Sequence, residues 1–194
     1  MLSVGNKNLN LTNRNVTCQI ITEKVDTLLE VPKVRGINYF EAEKDIHNWF
    51  IRKGELKLEL SDEFVSQGNF SMKITFLEGK PAEIALLYLP QAWKYYDFLD
   101  FDMHNPDRVG EECEILISNY FDNSSWYDDL PKYRQKIQFK EGTNKFSLPV
   151  KEIGRKIDLD SERKTVHFLF NPQKRYRIYI DNLRLVQKTS KSTF

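Results

Sequence analysis

The stretch from Lys164 to Val186 constrains the fold most, because two runs of alternating apolar residues flank a polar break. The apolar positions are Val166, Phe168 and Phe170 in the first run and Tyr176, Ile178 and Ile180 in the second. The break, Asn171 to Arg175, begins with the Asn-Pro pair that is typical of turns. Period-two alternation of β-branched and aromatic residues predicts two strands, each with one face in a core. Earlier strands must cover those faces.

Short alternating segments, separated by Gly, Pro, Asn and Asp, continue through the middle of the chain. They predict strands within 38–45, 55–64, 65–76, 82–90, 96–106, 113–121, 133–139 and 145–150. Only 148–160 leaves room for a helix, and that helix would be one short turn. The sequence therefore predicts an all-β fold, a β-sandwich jelly roll of two antiparallel sheets. An immunoglobulin-like sandwich is the alternative, although its paired cysteines around a buried tryptophan are missing.

Length and composition predict one folded domain. The 194 residues, 40% of them hydrophobic, can bury one sizeable core. The predicted β-sandwich spans residues 37–188, after an N-terminal extension or linker over 1–36 and before a tail over 189–194. The formal net charge of +1 gives no overall electrostatic basis for binding nucleic acid or an anionic membrane. No signal peptide or membrane span is visible in the sequence.

The two cysteines, Cys18 and Cys113, are too few for a disulfide framework or a zinc site of clustered thiolates. Cys113 stands at the start of an apolar strand, which predicts a buried free thiol. A disulfide bridge between the two cysteines is the alternative.

No catalytic residues are predicted. The three histidines stand alone, without a zinc-binding motif or a nucleophile elbow; they are His47, His104 and His167. Asp100 and Asp102 are two residues apart on one strand, so they lie side by side and do not flank a substrate. The sequence therefore predicts a protein that is not an enzyme.

Several segments occur in an order that is shared with a known group of proteins. They are Phe40 with Glu41, Trp49, 65–76, 96–106, 141–150 and 179–186. In this order they resemble jelly-roll carbohydrate-binding modules of the galactose-binding-domain-like type, over Tyr39 to Val186. The resemblance implies an oligosaccharide or polysaccharide ligand and an extracellular or periplasmic location. It also implies a neighbouring catalytic domain or a protein as a further partner.

The resemblance implies a structural Ca²⁺ ion as well. The matching ligands are Glu41 on the first strand, Asp181 on the last strand, and main-chain carbonyls between Ser66 and Gly68. Calcium takes six to eight oxygen ligands, and carboxylates with carbonyls are suitable ones. The alternative is that Glu41 is a solvated strand residue and that Asp181 hydrogen-bonds a turn.

Sugars stack on aromatic rings while polar side chains hold their hydroxyl groups. The predicted ligand-binding residues are Trp93, Tyr96, Asp100, Asp102, Trp126, Tyr127, Arg134, Lys136 and His167. The four aromatic residues fall in two polar loops, and the others lie on the polar sides of strands, where we expect several to share one concave surface. The alternative is a plain solvated sheet face, with Trp93 closing the core.

The predicted function is that of a non-catalytic carbohydrate-binding module, which binds sugar by aromatic stacking and by polar contacts from a sheet face. The alternative is a protein-interaction or assembly domain on the same fold, as in the complex I intermediate-associated family, without sugar binding.

Overall fold

Two antiparallel sheets enclose a shared apolar core in the computed structural model, which describes residues 32–87, 89–90, 92–106, 111–119 and 131–188. Eleven strands occur in these residues: β1 Val34–Asn38, β2 Trp49–Lys53, β3 Leu56–Ser61, β4 Ser71–Phe76, β5 Ala82–Leu86, β6 Phe98–Asn105, β7 Glu111–Ser118, β8 Lys132–Phe139, β9 Gly142–Pro149, β10 Thr165–Phe170 and β11 Tyr176–Val186. The helical segments are α1 Glu43–His47, α2 Val150–Gly154 and a 3-10 turn at Trp93–Tyr95.

The six-stranded sheet has the order β3-β4-β11-β6-β9, with β1 also paired to β11. Strand β11 is long enough to pair with β4 through Tyr176–Ile180 and with β1 through Leu183–Val186. Its register against β6 shifts between Asp181 and Arg184, where Asn182 has a left-handed φ of 57°. This is a β-bulge, and it changes the direction of the strand beside Asp181.

The five-stranded sheet has the order β2-β5-β10-β7-β8. The two strands predicted at the end of the chain, β10 and β11, are both present, but they lie in different sheets. The polar turn between them therefore carries the chain from one layer to the other. Phe168 of β10 contacts Phe101 of β6 edge to face across the core, with ring centroids 5.4 Å apart.

The predicted all-β jelly roll of two antiparallel sheets is confirmed, and the short helix predicted within 148–160 is α2. The strand predicted over 38–45 is wrong, because β1 ends at Asn38 and α1 begins at Glu43. Asp45 stabilises the first turn of this helix, since its carboxylate accepts a hydrogen bond from the Ala42 N–H at 3.1 Å. Strand β1 begins at Val34, earlier than the predicted start of the sandwich at residue 37.

Cys113 is a buried free thiol, as predicted, and burial raises its pKa well above the ordinary value. Cys18 lies outside the described residues. Among the helices of the described ranges, none has the length and apolar character needed to cross a membrane.

Candidate functional site

The outer face of the five-stranded sheet carries a hydrogen-bonded polar network at its centre. Val166 and Phe168 of β10 point into the core, so His167 between them points outward. His167 Nδ1 lies 2.7 Å from Oε1 of Glu83 on β5, and its Nε2 lies 3.1 Å from the Thr165 hydroxyl. The Thr165 hydroxyl in turn lies 3.0 Å from that of Ser118 on β7. Three neighbouring strands thus contribute to one fixed set of donors and acceptors.

A row of cross-strand neighbours runs over this outer face through all five strands. In the order of the strands it consists of Phe50, Ala85, His167, Leu116 and Arg134. Because neighbouring strands are about 4.8 Å apart, the row spans about 19 Å. Its centre is buried, since His167 is 1% exposed, whereas Phe50 at one end is 40% exposed. We call this row and its polar neighbours Glu83 and Glu114 the cross-strand row.

Ion pairs between β7 and β8 border the Arg134 end of this row. Arg134 lies 3.0 Å from the Glu114 carboxylate, and Lys136 lies 2.9 Å from that of Glu112. The Arg134 and Glu114 side chains are 43% and 26% exposed. Arg134, Lys136 and His167 therefore share one outer face, so the structure brings together three of the predicted ligand-binding residues.

The surroundings of Glu83 favour the ionised form of its carboxyl group. The hydrogen bond with His167 is the main reason that the pKa of Glu83 lies below its ordinary value, and the positive charges of Arg52 and Lys53 act in the same direction. Glu83 is therefore an ionised hydrogen-bond acceptor at neutral pH. With the guanidinium of Arg134 and the ring of Phe50, this face offers an acceptor, a donor and an apolar surface to a polar ligand.

Asp100 and Asp102 do not lie on this surface, so the prediction that several polar side chains share one surface does not extend to them. Both lie on β6, on the outer face of the six-stranded sheet at the opposite side of the sandwich. Asp100 accepts a hydrogen bond from Ser147 at 2.6 Å, and Asp102 is buried and accepts one from the Asn182 amide at 3.1 Å. Alternation along the strand predicts only that the two carboxylates share a face. They lie far from His167 because β6 and β10 belong to different sheets.

The two aromatic residues predicted in the 91–97 loop are also corrected. Trp93 is 0% exposed and belongs to the core, and Tyr96 is 5% exposed. The buried ammonium of Lys164 lies 5.9 Å from the Trp93 ring, where cation–π attraction offsets part of its burial. Neither ring is available for stacking against a sugar. Trp126 and Tyr127 lie outside the described residues.

The residues predicted as calcium ligands do meet, around the loop between β3 and β4. Oδ2 of Asp181 accepts hydrogen bonds from the Ser66 N–H at 2.7 Å, the Ser66 hydroxyl at 2.8 Å and the Gln67 N–H at 3.0 Å. The Glu41 carboxylate accepts the Asn69 N–H at 3.0 Å. The hydrogen bonds of Asp181 correspond to its alternative prediction, that of bonding a turn. They hold the β3–β4 loop against β11.

Calcium fits these residues only in part. In its favour, Oδ1 of Asn182 is a buried acceptor without a hydrogen-bond partner among the described residues. Against it, Asp181 Oδ2 already accepts three donors, and the described ranges contain no group of three or more His, Cys, Asp or Glu side chains that could hold a metal ion. Burial raises the pKa of Asp181, although the hydrogen bonds from Gln67 and Ser66 oppose this effect. Calcium binding stays a prediction.

Sequence reasoning did not single out Phe50, Glu83 or Phe64. Phe50 and Glu83 carry a usable signal, since both lie on the outward side of an alternating strand. Phe64 carries none, because its position depends on the β3–β4 loop folding back over the sheet. Its ring stacks on His104 with centroids 3.7 Å apart.

Neither a protein-family model nor a curated protein sequence matches the chain. Several solved structures share its fold. A family 11 carbohydrate-binding module from Clostridium thermocellum, in complex with a β-1,3-1,4-mixed-linked tetrasaccharide, has a TM-score of 0.58 at 13% identity; the match covers 79% of this chain and 95% of the other. The solution structure of CtCBM11 has a TM-score of 0.61 at 16% identity, with 84% and 99% covered.

A larger protein, an exo-β-agarase, matches through one part of its length. Its TM-score is 0.60 at 11% identity, and the match covers 80% of this chain but 25% of the agarase. Identities this low establish the fold alone. The chain therefore has the jelly-roll β-sandwich fold of the carbohydrate-binding modules that its sequence resembles.

Proposed function

We propose that the protein is a non-catalytic carbohydrate-binding module whose ligand, an oligosaccharide or polysaccharide, is bound by the exposed side chains of the cross-strand row. The observation that carries this proposal is the row itself, in which an exposed aromatic ring, carboxylates and a guanidinium lie on one rigid sheet face. The fold that the chain shares with carbohydrate-binding modules supports the same assignment.

Each exposed member of the row has a defined role. The ring of Phe50 stacks against the apolar face of a sugar ring. Glu83 accepts hydrogen bonds from hydroxyl groups, and Arg134 donates to them while Glu114 fixes its guanidinium. His167 is buried and acts through Glu83, so it is a positioning residue.

A structural calcium ion at Glu41 and Asp181 is part of the proposal. Its support is the convergence of both carboxylates on the 66–69 loop, together with the buried Oδ1 of Asn182, which has no hydrogen-bond partner within the described part of the chain. The ion would fasten this loop on the opposite side of the sandwich from the row, and it would have no part in catalysis. The resemblance to carbohydrate-binding modules supports an extracellular or periplasmic location, which is part of the proposal.

Affinity gel electrophoresis on neutral polysaccharides, including β-1,3-1,4-mixed-linked glucan, tests the proposal. We expect at least one of them to retard the protein, and we expect Phe50→Ala and Glu83→Gln to weaken binding about tenfold each, the loss of about 1.4 kcal/mol. Tyr95→Ala is the matched control, because Tyr95 is 49% exposed and lies outside the row. Absence of retardation on every polysaccharide, or equal binding by Phe50→Ala and Tyr95→Ala, would contradict the proposal.

A protein-interaction role is the second candidate, and one groove favours it. The groove has a volume of about 740 Å³ and lies between α1 and the edge strand β3. Its apolar lining comes from Ile46, Leu58, Leu60 and Phe70. The outer edge of a sheet beside an apolar groove is a common docking place for an extended peptide.

A further inference from the structure

A basic groove lies on the outer face of the six-stranded sheet, on the opposite side of the sandwich from the cross-strand row. It has a volume of about 540 Å³. Four cationic side chains line it, and we call it the Lys57–Arg177 groove; its cations are Lys57, Lys73, Arg175 and Arg177. The cations come from β3, β4, β11 and the turn before β11, so the groove exists only when these strands are paired.

The register explains why the cations collect there. Lys57, Thr75 and Arg177 are successive neighbours across β3, β4 and β11. Lys73 occupies the next row on the same face, since residues two apart along a strand point in the same direction. Arg175 is exposed in the turn that leads into β11. Cations that are distant in sequence thus lie around one concave surface.

The carboxylates near the groove neutralise only part of this charge. Glu59 lies 2.8 Å from the Lys57 ammonium. Glu63 lies 3.8 Å from Lys73 and 3.6 Å from Arg177, and it also accepts a hydrogen bond from the Tyr179 hydroxyl. Four cations therefore face two carboxylates, which leaves an excess of two positive charges. That excess is larger than the formal net charge of +1 of the whole chain.

The cations remain accessible to a ligand. The side chains of Lys57 and Arg177 are 64% and 47% exposed. Arg175 has no carboxylate within ion-pair distance among the described residues. Leu77, which is 43% exposed, adds an apolar surface beside the Thr75 hydroxyl. Two guanidinium groups, a hydroxyl and an apolar contact in one groove suit a sugar ring that carries an anionic group, because a guanidinium binds carboxylate and sulfate oxygens through two parallel hydrogen bonds.

We propose that the Lys57–Arg177 groove is a second carbohydrate site, which binds polysaccharides that carry carboxylate or sulfate groups. The proposal shares with the proposed function only the class of ligand, since the residues are different and lie on the other sheet. Carboxylate and sulfate groups both present anionic oxygen atoms to the two arginines. The experiment below distinguishes carboxylate from sulfate.

Affinity gels with matched pairs of polysaccharides test the proposal. Dextran sulfate is compared with dextran, and polygalacturonate with its methyl ester, so that each pair differs only in charged groups. We expect the wild-type protein to be retarded by at least one anionic member and less by its neutral counterpart. Higher salt should weaken the retardation, because the Debye length falls below about 8 Å above physiological ionic strength. The anion that causes retardation identifies sulfate or carboxylate as the recognised group.

The informative variant is Arg175→Gln with Arg177→Gln, and Lys151→Gln with Lys156→Gln is the control of equal charge. All four positions are exposed, so both variants should keep the melting temperature of the wild type. We expect the first variant to bind the anionic polysaccharide about tenfold more weakly and the control to bind as the wild type does. Equal weakening in both variants, or no retardation by either anionic polysaccharide, would overturn the proposal.

Three further outcomes distinguish this inference from general polyanion binding and from the proposed function of the cross-strand row. Retardation of the wild type by single-stranded DNA as strong as that by the anionic polysaccharide would overturn the carbohydrate assignment in favour of general polyanion binding. Loss of neutral-polysaccharide binding in Phe50→Ala, with anionic binding retained, would show that the two sites act independently. If no neutral polysaccharide binds but an anionic one does, the proposed function of the cross-strand row fails and this inference stands.

Discussion

The Glu41 carboxylate packs directly against the main chain of Gly68: a Cβ atom added at Gly68 would lie 1.7 Å from Oε1 of Glu41. This contact joins the segment after β1 to the β3–β4 loop. It also places the carboxylate where the neighbouring Asn69 donates both its main-chain N–H and its side-chain amide. Gly68 has a φ of 80°, a conformation that costs a residue with a side chain about 1 kcal/mol or more.

Gly68→Ala should therefore cost more stability than Gly142→Ala. Gly142 has a similar φ of 88°, but an added Cβ would meet nothing within 4 Å, so it reports the cost of the backbone conformation alone. At Gly68 the Glu41 side chain must also move away and lose its bonds to Asn69, which adds about 1 kcal/mol. Urea unfolding measures the difference. In a Glu41→Ala background the extra cost should disappear, and its persistence there would contradict the explanation.

Phe64 adopts a left-handed φ of 53°, which is unusual for a bulky residue, and its ring is held over His104 and Tyr179. Replacement by Ala removes the ring and keeps the backbone strain, whereas replacement by Gly removes both. We expect Phe64→Gly to be more stable than Phe64→Ala by about 1 kcal/mol, although both are less stable than the wild type. If Phe64→Ala proved more stable than Phe64→Gly in urea unfolding, this explanation of the loop would be contradicted.

The contact between Glu83 and His167 should make stability depend on pH in the acidic range. The pKa of Glu83 is lower in the folded protein than its ordinary value of 4.5. Its stabilising contribution is therefore complete above that value and is lost as the pH falls through the lower folded pKa. The free energy of unfolding, measured between pH 7 and pH 3, should fall less steeply in Glu83→Gln than in the wild type. Parallel curves for the two proteins would contradict the assignment.

Calcium binding predicts a change in melting temperature. A ligand present at a hundred times its Kd and bound only to the folded state adds about 2.7 kcal/mol, which corresponds to a rise of about 5–10 °C for a chain of this size. We expect calcium to raise the melting temperature, a chelator to reverse the rise, and Asp181→Asn to remove the response. Identical melting with calcium and with chelator would contradict calcium binding at this loop.

The sequence predicted most strands because alternation is local. The apolar positions of β10 and β11 both lie in the core, as their pattern indicates. The strand predicted over 38–45 failed because Asp45 can accept a hydrogen bond at the start of a helix, a contact that the alternating pattern does not reveal. The prediction that the Trp93 ring binds a ligand failed for a related reason: a polar loop sequence does not show that one of its rings turns into the core.

The sequence by itself determined that the chain forms strands with one apolar side, that these strands need two layers, and that Cys113 is buried. Only the tertiary structure decided which strands are neighbours. It separated Asp100 from His167, brought Asp181 to Ser66, and gathered Lys57, Lys73 and Arg177 around one groove in a chain that is almost neutral. The physical reason is that the direction of a side chain follows from its place in one strand, whereas its neighbours follow from pairings between strands far apart in the sequence.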